Sequence, residues 1–412
     1  MSSTVLRADD GVPAAGTARP PLSHPPAPPG AAALRDTALL ARADAPRADA
    51  EQRLAPATVE ALGRSGLPAH FVPARWGGGD ATFTRLLEEV SLLAEHCPST
   101  AWCGALFAAH GRFCAYLPEA GQRAIWRDTP HTRIAAAIAP PAGTARAGAD
   151  GWTLSGTWRP VSAVSHVQWV LLAAPVTDPA GAAGSAVRVF AVPAGRLVVE
   201  ESWDAVGLRA TAGHTVHARA VHVPAHLTFD LAEMLAGRAG PGRSRTHAAP
   251  AQLAGGLMFC ATAYGAARRA LHLWTQWATT PAKTGAVRTT APAVATTLAT
   301  ASARIEAAGL LLERAAHRAD TEPVTGSLVA TNQRDAAVAA QMLADAVGEL
   351  VRGGSHMLDA RGELQRMWRD VHTVAAHAVL RVEATATAFA AAVGGAGHGA
   401  GSLRAPAGDA PR

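Results

Sequence analysis

The stretch LQRMWRDVHTVAAHAVL, residues 364–380, carries two patterns at once. Leu364, Met367, Trp368, Val371, Val374 and Ala375 recur at three- and four-residue spacings. That places them on one face and predicts a single buried helix from Leu364 to Leu380. Into it the sequence sets Arg366, Arg369, Asp370, His372 and His377. Unpaired charge is costly in apolar surroundings, so these groups are either paired and capped or part of a site. The arginines and Asp370 suit an ion-paired cluster fixing the helix. The two histidines are either capped core residues or functional ones.

Outward from this stretch the texture of the chain changes twice. Upstream, QLAGGLMFCATAYGAARRALHLWTQWA, APAVATTLATASARIEAAGLLLERAAHRA and NQRDAAVAAQMLADAVGELVRGG read as three more long helices, so a C-terminal four-helix bundle is expected over 229–395. Before them, RIAAAIAPP, DGWTLSGTWRPVS, VQWVLLAAPV, AVRVFAVPA, LVVEESW and HARAVHVPAH are short β-type runs between Gly, Pro and Asp turns. They predict a middle antiparallel β domain over 132–228. Residues 32–131 read as an N-terminal helical domain, in which GGGD at 77–80 with Thr82 starts one helix and TAWCGALFAAHGRFCAYL at 100–117 is another. The fold class is therefore mainly α with a central β domain. Residues 1–31, rich in Pro, Ala and Gly, and residues 396–412 have little to bury and are expected to be flexible tails.

At 412 residues, 49% hydrophobic and 17% charged, the chain can form two or three packed subdomains. The net charge is +5, but the basic residues are scattered without runs or interleaved aromatics. That argues against nucleic acid and leaves an anionic small molecule as a compatible partner. Cys97, Cys103, Cys114 and Cys260 lack metal-type spacing and have apolar neighbours, so reduced core thiols and no metal are expected. There is no signal-peptide pattern and no apolar run of the ~18 residues that a membrane span needs. The expectation is a cytoplasmic protein.

This order of helices, sheet and bundle resembles the acyl-CoA dehydrogenase superfamily over roughly residues 34–395. The likeness is closer to its oxygen-using branch, flavin-dependent monooxygenases fed reduced flavin by a separate reductase. It rests on L-x-x-S-G-L-x-x-x-x-V-P-x-x-W-G-G at 62–78, L-x-E-E-V at 86–90 and CPSTAW at 97–102. It continues in GWTLSGTWRPVSAVSHVQWV at 151–170 and SWDAVGLRATAGHTVHARAVHVP at 202–224. In the bundle it rests on YGAARRAL at 264–271, RGGS at 352–355 and LQRMWRDVHTVAAH at 364–377.

In the commonest dehydrogenase subgroup, a base Glu follows the arginine of the RD pair by nine positions. Here that place holds Ala378, beside His377, and the next carboxylate is Glu383. A methyl group cannot act as a base, so the resemblance points to the monooxygenases. There, reduced FMN or FAD reacts with O2 at C4a, and the hydroperoxide is held by hydrogen bonds and by exclusion of water. His377 falls where such enzymes place a histidine beside C4a. Ser162 matches a strand-end serine facing flavin N5, and His110 a helical histidine that lines the substrate pocket and acts as a base toward substrate. Trp158 and Trp203 match aromatics beside the isoalloxazine, although core tryptophans would read the same.

Arg288 matches an arginine that relatives bring from a neighbouring subunit to the flavin phosphate, which implies a homotetramer or homodimer. The turn Gly353-Gly354-Ser355 could offer backbone N–H groups to the same phosphate, or simply end a helix. The family's R-G-T-G-S is here Arg209-Ala210-Thr211-Ala212-Gly213, so a serine is missing, and an arginine often found after the Gly-Gly-Ser turn is His356.

The implied activity is hydroxylation or N-oxidation of a small organic substrate. No G-x-G-x-x-G follows a strand, so electrons are expected from a partner reductase. Phe107, Phe113 and Met258 are the expected walls of an apolar, aromatic-accepting pocket. The alternatives are an acyl-CoA dehydrogenase or desaturase with a relocated base, and an inactive family member serving as a binding subunit.

Overall fold

The computed structural model describes residues 30–177, 183–240, 243–281 and 287–397. Among the described residues five helices come first: α1 (Ala31–Glu51), α2 (Pro56–Arg64), α3 (Phe83–Ala94), α4 (Pro98–Cys114) and α5 (Glu119–Trp126). Eight strands follow: β1 (Ile134–Ala137), β2 (Thr144–Ala147), β3 (Gly151–Val161), β4 (Trp169–Thr177), β5 (Ala183–Pro193), β6 (Val198–Glu200), β7 (His214–Pro224) and β8 (Thr228–Asp230). Two short helices, α6 (Leu231–Leu235) and α7 (Arg245–Ala248), lead into α8 (Ala251–Thr279), α9 (Pro292–Thr321), α10 (Gly326–Val351), α11 (Glu363–Ala375) and α12 (Val382–Gly397). The expected N-terminal tail lies outside the described residues except for Gly30 and Ala31, and Ala31 already opens α1. Most of the expected C-terminal tail, from residue 398 on, also lies outside them.

Every residue of α4 is buried, the mark of a helix covered on all sides. One apolar core runs from α1–α4 into α8–α11, and a second fills the sheet and takes in Phe113, Leu117, Ile125 and Trp126. Thr82 accepts a hydrogen bond from the Arg85 amide and caps α3. All four cysteines are free and buried.

The sheet runs β6-β7-β3-β2-β4-β5-β8, with β1 also paired to β4. It is not wholly antiparallel, because β1 and β2 both pair with β4 in parallel. The chain between β1 and β4 is long enough to make the crossover that parallel pairing needs, since it contains β2 and β3. The bundle also departs from four equal helices. Three are long, α11 is one of 13 residues, and α12 packs on α10 after it.

Leu364, Met367, Val371 and Val374 do form the buried face of α11, but the helix stops at Ala375. His377 is extended, and its Nδ1 accepts the Val379 amide to start a separate turn, Ala378–Leu380. Periodicity carries no trace of this break, which uses neither Gly nor Pro.

The charged residues of α11 are also not a mutual ion cluster. Asp370 accepts the Leu208 amide at 2.6 Å from the loop between β6 and β7. Arg369 binds Asp49 of α1 at 2.7 Å and donates to the Val206 carbonyl. Arg366 is buried with an unpartnered Nε. Gly207 allows the approach: a Cβ there would stand 2.3 Å from the Arg369 carbonyl oxygen. Three parts of the chain therefore meet at one seam.

Burial drives the Asp370 carboxyl from 3.8 up to about 7, against the pull of the Leu208 amide and Arg369. An acid whose folded pKa is raised adds stability at low pH, and that stability is lost as pH rises from the unfolded value toward the folded one. Asp370→Asn keeps an acceptor for Leu208 but cannot ionise. Wild type should therefore lose Tm relative to this variant as pH is raised from about 4 to about 8. Parallel Tm–pH curves would refute this.

Candidate active site

Strand β3 ends at Val161, and Ser162 follows on a tight turn. Ala163 takes a left-handed φ of 63° and donates its amide to the Thr211 carbonyl at 2.7 Å. The facing loop does the same twice, with φ of 50° at Leu208 and 47° at Ala212. Left-handed backbone at residues bearing a Cβ costs on the order of 1 kcal/mol each, and such outliers concentrate where function fixes the chain. The Ser162 hydroxyl is half-buried and has no hydrogen-bond partner among the described residues.

Trp203 lies on the same loop. Its indole N–H donates to the Leu208 carbonyl at 3.1 Å, and its backbone N–H to His214 Nδ1 at 3.2 Å. His214 Nδ1 also accepts the Ser202 amide, so its proton sits on Nε2. Trp203, His214, Ala212, Ser165, Arg53 and Glu51 line a cleft of about 300 Å³. The missing family serine has a physical counterpart here. A Cβ on Gly213 would lie 2.9 Å from the Trp203 ring, so the indole fills the space a side chain would need. Trp158, by contrast, is 1% exposed in the sheet core and donates to the Ala173 carbonyl at 3.0 Å. Its indole is enclosed in the sheet core.

The two histidines are held in opposite tautomers. His110, buried on α4, donates from Nδ1 to the Ile134 carbonyl at 2.9 Å. Its Nε2 therefore carries the lone pair, and burial brings its pKa down to about 4. His377 accepts at Nδ1 from the Val379 amide at 3.4 Å, which leaves the proton on Nε2. That Nε2 has no protein partner among the described residues and is not sealed from solvent. Burial lowers its pKa, so it too is neutral near pH 7. One imidazole offers an acceptor, the other a donor.

His377 stacks on Phe259 of α8 at 4.2 Å and 30°, and Phe259 meets Trp102 of α4 at 4.9 Å. Phe107, Phe113 and Met258 are core residues, between 0 and 6% exposed, as is Trp102 at 5%, while Phe259 is half-buried. Nothing in the spacing of α8 marks Phe259. Trp102 is visible in CPSTAW, but only as part of a motif.

A separate cluster stands near the other end of α8. Arg288 donates to the Trp277 and Thr280 carbonyls at 3.0 and 2.7 Å, and its guanidinium lies 5.0 Å from the Trp277 ring. His356, next to Gly354 and Ser355, meets the same ring at 5.3 Å. Gly354 has a φ of 141°, and a Cβ there would lie 2.8 Å from the His356 ring. Arg288 and the Gly-Gly-Ser turn are thus neighbours. Trp277 lies eighteen residues beyond Phe259 on α8, about 27 Å at the helical rise.

Residues 257–382 match the profile of the family described as acyl-CoA dehydrogenase, C-terminal domain. The chain is 28% identical to the oxygenase component of an FADH2-dependent resorcinol hydroxylase of Rhizobium, over 84% of this chain and 90% of that one. It is 27% identical to HsaA, the oxygenase subunit of a flavin-dependent monooxygenase of Rhodococcus jostii, over 79% of this chain and 88% of the other. Among solved structures, XiaF from Streptomyces in complex with FADH2 and glycerol superposes with a TM-score of 0.82 at 25% identity, covering 88% of this chain and 94% of XiaF. Gly213→Ser should force the Trp203 indole aside and cost about 1–3 kcal/mol of stability, the usual penalty for overpacking. Thermal unfolding with Trp fluorescence checks this, and an unchanged Tm and spectrum would show that the slot is open.

Proposed function

Because the chain belongs to the acyl-CoA dehydrogenase superfamily, in its flavin-dependent monooxygenase branch, we propose that it is the oxygenase of a two-component system. It takes reduced FMN or FAD from a separate reductase and hydroxylates a small aromatic substrate bearing a hydroxyl group. The observation that carries this reading is the pair of neutral histidines in opposite tautomers, with no carboxylate on either. A dehydrogenase would need a base near Ala378, but Glu383 is exposed on α12 and Asp370 is committed to the Leu208 amide.

The residues present fit a flavin: half-buried Ser162 just after β3, and the Trp203 ring on the cleft wall. When bound, the reduced flavin supplies two electrons to O2 and one oxygen atom goes to the substrate, the other leaving as water. Ser162 would hydrogen-bond the ring system at N5. His377 would donate Nε2–H to the oxygen that is transferred. His110 Nε2 would accept the substrate hydroxyl and draw electron density into the ring under attack. Trp102 and Phe259 would keep water away from that step.

The Arg288 cluster stands about 27 Å along α8 from Phe259, the residue that stacks on His377. It would serve the phosphate of a flavin in a neighbouring protomer, in a homodimer or homotetramer.

With reduced flavin, 18O2 and a panel of phenols, the product should gain one labelled oxygen. His110→Asn should lower product formation on the order of 10²-fold or more while flavin oxidation continues as H2O2 release. The lowered pKa of His110 also places the acid limb of product formation well below the usual imidazole value, toward pH 4. A limb near 6.5 that vanishes in His110→Asn, or flavin oxidation lost together with product, would overturn its role.

A further inference from the structure

His377 is weakly tethered for a group that must aim a hydrogen bond. It stands on the short turn after α11, between exposed Ala376 and Ala378. Its one side-chain hydrogen bond among the described residues is the 3.4 Å contact with the Val379 amide, near the outer limit of such bonds. That bond selects the tautomer, but a single long contact leaves the ring free to rotate about it. The remaining restraint is aromatic. Phe259 lies against the imidazole at 4.2 Å with planes 30° apart, and Trp102 backs Phe259 at 4.9 Å, also at 30°. Trp102 itself lies 5.7 Å from His377, and it is buried on the fully enclosed helix α4. The three rings come from three separate elements, so the slab is anchored in α4 and α8, not in the turn that carries the histidine. Stacking of this kind adds to the gain from burial and favours one ring orientation.

We propose that Phe259 is the positioning residue of His377: its ring fixes the imidazole plane, and Trp102 fixes Phe259. The functional consequence rests on the monooxygenase reading, while the positioning itself does not. A stacked imidazole keeps Nε2–H on a fixed line, and an unstacked one samples several. Misplacement of a reacting group by about 1 Å can cost on the order of 10²-fold.

The test uses the full-length protein labelled with 15N-histidine, with the His377 signals assigned by their loss in His377→Gln. In wild type without flavin, His377 should titrate below 6.5 and show one tautomer, protonated at Nε2. In Phe259→Leu the midpoint should move toward 6.5 and the tautomers should mix, and Phe259→Tyr should restore both. A His377 signal unchanged in folded Phe259→Leu would overturn the proposal, as would a Phe259→Tyr variant that folds yet does not restore it. In a second arm, reduced flavin, O2 and substrate are added and H2O2 is counted per product. Phe259→Leu should raise that ratio about tenfold, with Phe259→Tyr near wild type. If the NMR changes occur and the ratio does not move, Phe259 still positions His377, and it is the oxygen-directed role of His377 that fails.

Discussion

A carboxylate on one helix accepts a hydrogen bond from a backbone amide in the loop between two strands, and it joins that helix to the loop that supplies Trp203 and Ala212 to the cleft. Asp370 and the Leu208 amide, 2.6 Å apart, join α11 to the loop between β6 and β7. The same loop carries Trp203, and the Thr211 carbonyl that holds the turn after Ser162. The same helix ends two residues before His377. Arg369 ties the joint to α1 through Asp49, and Arg209 binds the Asp49 backbone. Burying a carboxylate is unfavourable, as its raised pKa records, so the seam exchanges local stability for a fixed relation between α11 and the loop.

Much of the fold was legible because burial has a period. The apolar face of α11, the all-round apolar α4 and the short alternating strands each leave a pattern that chain order alone exposes. What periodicity misses is where backbone groups find partners. The helix break before His377 is made by an imidazole capping the next turn. The acceptor of the Leu208 amide lies 162 residues away in sequence, and the parallel pairing of β1 and β2 with β4 depends on a crossover with no local signature. Among candidate site residues, His110, Ser162 and His377 came from resemblance to motifs. Trp158 came by the same route, and its ring is enclosed in the sheet core.

Departures from the family pattern acquire physical meaning in three dimensions. Gly213 is not merely a lost serine, because Trp203 occupies its space and is anchored on Leu208, the residue whose amide binds Asp370. The change therefore belongs to the seam as much as to the cleft. His356, in place of an arginine, shares the Trp277 ring with Arg288, so an aromatic link stands where a second cation would. The electrostatics run the same way in both candidate histidines: each is desolvated and neutral near pH 7, with its tautomer set by a backbone group.

The most direct measurement of the seam's role is hydrogen–deuterium exchange of wild type against Asp370→Ala. Segments 204–213 and 376–381 should gain deuterium together and faster in the variant, while β3 and β4 remain protected. Faster exchange confined to the immediate neighbourhood of residue 370 in α11, with both segments unchanged, would contradict the claim that this single bond holds α11 and the β6–β7 loop together.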